Sequence, residues 1–254
     1  MADDALFLID IDRILREKAP KQYKYIPRFV ISYLKRIVHQ EELNVFLRES
    51  KDKVGVDFLK ACVEFLDAKL VIKGEENLPK EGGFVLAPNH ISAIDPVFVV
   101  VARFWGKRLL IMAKEEILQV NPVFTWMFRH VGVVGIERGR GDVGVVDELI
   151  GDVKKGQGLL IFPEGTRSKT GQVGKVKSGA FVIASAAGVP MVPCRIIYEP
   201  GRMKVFCRVR VCFGAPIPAE ELYLGETKSA SALRKNKALL TDAWQRLYDE
   251  NKFD

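Results

Sequence analysis

GFVLAPNHISAIDPV, Gly83 to Val97, runs from an unbroken apolar segment through a polar corner into a proline. The apolar part, Gly83 to Ala87, reads as a strand. Pro96 disfavours helix at the residue before it and suits a first helical position, so a helix is expected over Pro96 to Phe104, with Asp95 as its N-cap and His90 to Ile94 as loop. A strand, a short corner and a helix form the first half of a βαβ unit, and the rest of the chain repeats that alternation. Further strands are expected at Leu70 to Lys73, Leu109 to Ala113, Val131 to Ile136, Gly158 to Phe162, Val189 to Ile196 and Val205 to Phe213. Helices are expected at Glu116 to His130, Gly144 to Lys154, Gly179 to Ala187 and Ala232 to Glu250. This pattern predicts an α/β fold, a mostly parallel mixed sheet flanked by helices, with ligands at the carboxyl ends of the strands.

Ahead of it lies an N-terminal helical extension with helices at Leu6 to Glu17, Tyr25 to Val38, Glu41 to Glu49 and Asp57 to Asp67, punctuated by Pro20 and by Lys53-Val54-Gly55. The expected division is residues 1–69 as this helical region and 70–254 as the main domain with its closing helix. In Tyr25 to Val38, residues Ile26, Phe29, Val30, Tyr33, Leu34 and Ile37 recur at helical spacing, with Arg28, Lys35 and Arg36 on other faces. Two readings stay open: a helix lying at an anionic membrane interface, or an amphipathic helix packed on the main domain.

The corner itself holds a base and a partner for it. A continuous helix would turn by about 500° between His90 and Asp95 and leave the side chains about 140° apart, so they can meet only if the corner is a loop. An imidazole held by a carboxylate can take a proton from a hydroxyl near neutral pH. Asp95 can instead be a plain cap, and the roles are compatible, since a carboxylate has two oxygens. A second polar corner follows the strand at Gly158: Pro163-Glu164-Gly165-Thr166-Arg167-Ser168. Gly165 permits close approach of a ligand, and Thr166, Arg167 and nearby N–H groups suit a phosphate. Glu164 and Arg167 can alternatively form a surface pair worth at most about 1 kcal/mol.

Four blocks, in order, make the chain resemble the glycerophospholipid acyltransferases, of which 1-acylglycerol-3-phosphate acyltransferase is the best-known activity. They are NHISAID with its histidine, four residues and aspartate; VGVVGIERG, Val131 to Gly139; FPEGTRS, Phe162 to Ser168; and GVPMVPC, Gly188 to Cys194. The likeness runs from about Leu70 to Ile217. It implies His90 as general base and Asp95 as its orienting partner, with Glu164 and Gly165 forming the acceptor site. Arg138, Thr166 and Arg167 would hold the acceptor's phosphate, with Lys114 and Lys177 as additions. Glu137 stands where the family often has aspartate or asparagine, which bears on the acceptor more than on the reaction. The implied reaction is acyl transfer from acyl-CoA or acyl carrier protein to the free hydroxyl of 1-acylglycerol-3-phosphate, with no cofactor. The rival acceptor is a lyso-amino-acid lipid, an ornithine or glycine lipid, because carboxylate and phosphate are both anions. A non-catalytic peripheral lipid-binding protein is the alternative of another class.

Composition agrees. In 254 residues, 48% hydrophobic, a sizeable core is available, and 39 basic against 32 acidic residues give a formal charge of +7 that favours anionic partners. The basic residues do not accompany stacking aromatics in a nucleic-acid module, so no nucleic acid is expected. Cys62, Cys194, Cys207 and Cys212 lack paired spacing, and with His39 and His130 they indicate no metal site. Ser92 reads as a loop residue, and no Gly-x-Ser-x-Gly turn is present. Spanning a bilayer takes about 20 apolar residues, and the longest run, Pro96 to Trp105, is broken at Arg103. The acidic opening Met1-Ala2-Asp3-Asp4 gives no expectation of a signal peptide. A cytoplasmic protein, peripheral on the inner face of the cell membrane, is therefore expected. The stretches Arg138 to Gly144 and Ser168 to Ser178 read as solvated loops or as mobile covers over an anionic substrate.

Overall fold

A computed structural model describes residues 69–102, 109–119, 125, 128–129, 132–136, 143–168, 170–204, 207–227 and 229–253. The four leading helices, the region 1–68, Cys62, His39, His130, Glu137 and Arg138 lie outside the described residues.

Seven strands form one sheet: β1 (Lys69–Lys73), β2 (Phe84–Pro88), β3 (Leu110–Lys114), β4 (Val133–Ile136), β5 (Gly158–Leu160), β6 (Met191–Glu199) and β7 (Arg208–Phe213). Their spatial order is β1-β7-β6-β2-β5-β3-β4. All pairings are parallel except β6 with β7. That exception has a simple cause: residues 200–207 are too few for a crossover, which takes about a dozen residues or more, and the Pro200-Gly201 turn sends the chain straight back.

The helices are α1 (Asp95–Ala102), α2 (Val143–Lys154), α3 (Gly179–Ala187), the single turn α4 (Ala219–Leu222) and α5 (Ala230–Asn251). They cover both faces of the sheet, and β2 shows how. Phe84 and Leu86 point to the core shared with Phe98 and Val99 of α1. Val85 and Ala87 point to the core built with Leu149 and Val153 of α2, Phe181 of α3, and Leu240 and Trp244 of α5. The period of two places alternate side chains on opposite faces, and burial of each Val, Leu or Phe stabilises the fold by about 1.5–3 kcal/mol. A strand buried on both sides must be apolar throughout, which is why the run in the sequence is unbroken.

One expected helix differs. In place of an α-helix starting at Glu116, Glu115–Gln119 is a 3₁₀ segment. Pro122 has no N–H to give the carbonyl of Leu118, and that carbonyl accepts instead from the Thr125 hydroxyl.

The carboxyl ends of β2 and β5 are where the sheet opens. Their register ends at Leu86 opposite Leu160, with one further bond from Ile161 N–H to the Leu86 carbonyl at 3.0 Å. Beyond it the two chains run into separate corners, and the Ala87 carbonyl accepts from Trp244 Nε1 of α5 at 2.9 Å. Those corners are the two polar motifs.

Candidate active site

Asn89 is the first residue past β2, fully buried, and its side chain continues the strand. Its Oδ1 accepts from Ile196 N–H at 2.6 Å and its Nδ2 donates to the Ile196 carbonyl at 3.2 Å, a side-chain copy of a backbone pair with β6. The chain is thereby anchored where it turns into the corner.

Within the corner Asp95 folds back as a loop allows. Its Oδ2 stands 2.8 Å from His90 Nδ1, and it accepts from the N–H groups of Ile91 at 2.6 Å and Ser92 at 2.8 Å. Its Oδ1 accepts from the Tyr198 hydroxyl of β6. The carboxylate therefore binds the loop before its helix, and the expected capping of N–H groups after it is not what the oxygens do. The reason is geometric: a loop that turns tightly over Asp95 offers it two amides and an imidazole at once. A carboxylate that already accepts two N–H groups takes a third donor, so Nδ1 carries the ring hydrogen and Nε2 keeps its lone pair. The ring lies against Phe162, centroids 4.1 Å apart and planes at 28°.

Glu164 joins the two corners. One oxygen, Oε1, accepts from the His90 backbone N–H at 2.7 Å, and Oε2 accepts from Gly174 N–H at 2.6 Å. The His90 carbonyl in turn accepts from Ser168 N–H at 2.7 Å. Burial pushes the Glu164 carboxyl above its ordinary value, against the pull of the two amides. The surface pair of Glu164 with Arg167 does not form: Glu164 is buried and Arg167 exposed. With both oxygens held by backbone, Glu164 fixes the His90 backbone and the second loop. Arg195 of β6, buried with its guanidinium 5.1 Å from the Tyr248 ring, also acts on Glu164 through its charge.

Around this centre the expected cations take up different places. Gly165 has φ +68°, a conformation favouring glycine, and a Cβ there would come within 2.8 Å of Lys177 Nζ, so the lysine lies over the glycine. Thr166 and Arg167 are exposed on the same turn. Lys114 ends β3 and pairs with Glu116. The segment after Ser168 is tied down at Gly174, and again by Lys177 N–H to the Pro163 carbonyl at 2.8 Å.

A family model for acyltransferases matches residues 69–197, which hold His90, Asp95, Glu164 and Arg195 together with the polar turn after β5. The chain belongs to the acyltransferase family. It is 73% identical over 90 residues, 35% of this chain, to a lyso-glycine lipid O-acyltransferase of Bacteroides thetaiotaomicron. That stretch is 33% of the relative, so the chain spans about a third of the length of this curated protein. It is 38% identical over 132 residues, 51% of this chain and 37% of the other, to a chloroplast 1-acyl-sn-glycerol-3-phosphate acyltransferase of Brassica napus. Among solved structures it shares the fold of the 1-acyl-sn-glycerophosphate acyltransferase PlsC of Thermotoga maritima, with TM-score 0.61, 20% identity, and coverage of 98% of this chain and 96% of that one.

For an acyltransferase-family site, three groups escaped the reading of sequence: Asn89, Phe162 as a wall for the imidazole, and Tyr198. Asn89 left a usable signal, being a polar residue directly after a fully apolar strand. Tyr198 left none, because its partner is 103 positions away.

Proposed function

We propose that this chain transfers a fatty acyl group from a thioester, acyl-CoA or acyl carrier protein, to the free hydroxyl of an anionic lysolipid, with a lyso-glycine lipid as acceptor. The observation that carries the reaction is the His90 imidazole at the carboxyl edge of the sheet, its Nδ1 on Asp95 at 2.8 Å and its backbone held by Glu164. Nε2 takes the hydroxyl proton as the oxygen attacks the thioester carbonyl. The tetrahedral centre collapses, the C–S bond breaks, and the imidazolium returns the proton to the departing thiolate. A base so placed contributes about 10²–10⁴-fold, and a non-catalytic lipid carrier has no use for one.

The acceptor is argued from the 73% identity with the Bacteroides thetaiotaomicron protein, against 38% for the Brassica napus one. A glycine lipid presents a carboxylate, which Arg167 and Lys177 suit, together with Arg138 and Lys114 as further cations. The second reading, 1-acylglycerol-3-phosphate as acceptor, is favoured by the Brassica napus likeness, and its phosphate asks for the same cations. The acceptor would be met at a membrane surface, with the protein peripheral on its inner face; among the described residues no helix is long and apolar enough to cross a membrane. The test is a radiolabelled acyl-transfer assay on both lysolipids. Label should enter the lyso-glycine lipid faster; transfer to 1-acylglycerol-3-phosphate alone would exchange the two readings, and transfer to neither would end both.

A further inference from the structure

Asp95 is fully buried, and its Oδ2 already serves three donors. Its other oxygen, turned into the sheet, has the Tyr198 hydroxyl as its donor. Tyr198 is buried on β6, and its ring meets Phe98 of α1 edge-on at 6.0 Å. A carboxylate can rotate about its Cβ–Cγ bond and exchange its oxygens; a donor fixed by a strand prevents this by holding Oδ1 in place. Among the described residues, the titratable groups facing this array include Glu164 from the corner after β5, toward His90, Cys194 of β6 toward Asp95, and Cys207 ahead of β7 toward Tyr198, with the Arg195 guanidinium acting on Glu164 and Cys194. Burial, then the Asp95 charge, hold the phenol well above its ordinary value, so it remains a donor across the working range. Burial does the same for the Cys194 thiol, which stays uncharged.

We propose that Tyr198 is a positioning residue for the acyl transfer: through Asp95 it keeps the His90 ring turned with Nε2 toward the acceptor hydroxyl. The inference rests on the acyl-transfer reading of this site. Without the phenol the carboxylate loses a donor, so it draws more strongly on the imidazole hydrogen and favours the imidazolium, the form that cannot act as base.

The test is Tyr198→Phe in the full chain, which keeps the contact with Phe98. Two quantities are followed from about pH 5 to 8: kcat/KM, and the titration midpoint of the His90 ring by ¹⁵N NMR. The variant should lose about tenfold in kcat at neutral pH with acceptor KM little changed. The acid limb of the rate profile and the NMR midpoint should both move to higher pH. In an Asp95→Asn background the same change should add less than about twofold, since the two residues act in one chain. A midpoint that stays put or moves down in Tyr198→Phe overturns the inference, as does a full tenfold loss in the Asp95→Asn background. The NMR midpoint needs no turnover, so the failures separate. A native chain inactive on every lysolipid overturns the acyl-transfer reading, whereas an active native chain with an unmoved midpoint in the variant overturns the role of Tyr198 alone.

Discussion

The backbone N–H of His90 and the carboxylate of Glu164 meet at 2.7 Å, and that bond makes one site of two motifs separated by 74 positions. Because the clamp is a buried carboxyl, it is sensitive to pH. Burial raises Glu164 above its ordinary 4.5, so the folded chain binds that proton more tightly than the unfolded chain does. The stability contributed by this difference is full below 4.5 and is lost as pH rises through the raised value. Glu164→Gln has no such titration. The stability of the native chain minus that of the variant should therefore fall as pH climbs from 4.5, in urea midpoints taken at successive pH values. A difference that grows over that window contradicts the raised value.

His90→Ala should lower acyl transfer by about 10²–10⁴-fold while lipid binding to vesicles changes little, because the base is lost and the cations remain. Turnover equal to that of the native chain would remove the base from the mechanism.

Asn89→Leu tests the anchor next to His90. It leaves the Ile196 N–H and carbonyl buried without the partners they have at 2.6 and 3.2 Å. Loss of two buried bonds should destabilise the fold by about 2–4 kcal/mol, read from denaturant midpoints at constant slope. A cost under about 0.5 kcal/mol would mean that another group replaces the amide.

What the sequence disclosed and what it hid follow from the range of each interaction. The strands were legible as short runs of apolar or alternating residues, and β2 and β5 announced the site because a polar corner follows each directly. The antiparallel β6–β7 pair was marked by Pro200-Gly201 but needs the connection length to be read with it. The spacing of His90 and Asp95 required a loop, and Pro96 supplied one. The carboxylate's choice of Ile91, Ser92 and Tyr198 over helix N–H groups depends on how tightly that loop closes and on a strand more than 100 positions away. Glu164 shows the same limit: nothing local distinguishes a carboxylate that binds backbone amides across the sheet from one that faces solvent.

Gly165→Ala probes the turn that carries Thr166 and Arg167 and lies under Lys177. At φ +68° an alanine is strained by about 1–2 kcal/mol, and its Cβ would lie 2.8 Å from Lys177 Nζ and 3.1 Å from Cδ. The far end of a flexible lysine can move aside, so the fold should survive; the cost falls on where the ammonium sits. If Lys177 helps hold the acceptor's anion, the variant should raise acceptor KM severalfold and leave donor KM unchanged. Lys177→Met should do the same, and the double variant should be little worse than either, because both act through one ammonium. Steady-state kinetics with acceptor and donor varied in turn make the check, and an effect confined to the donor would place the anion pocket elsewhere.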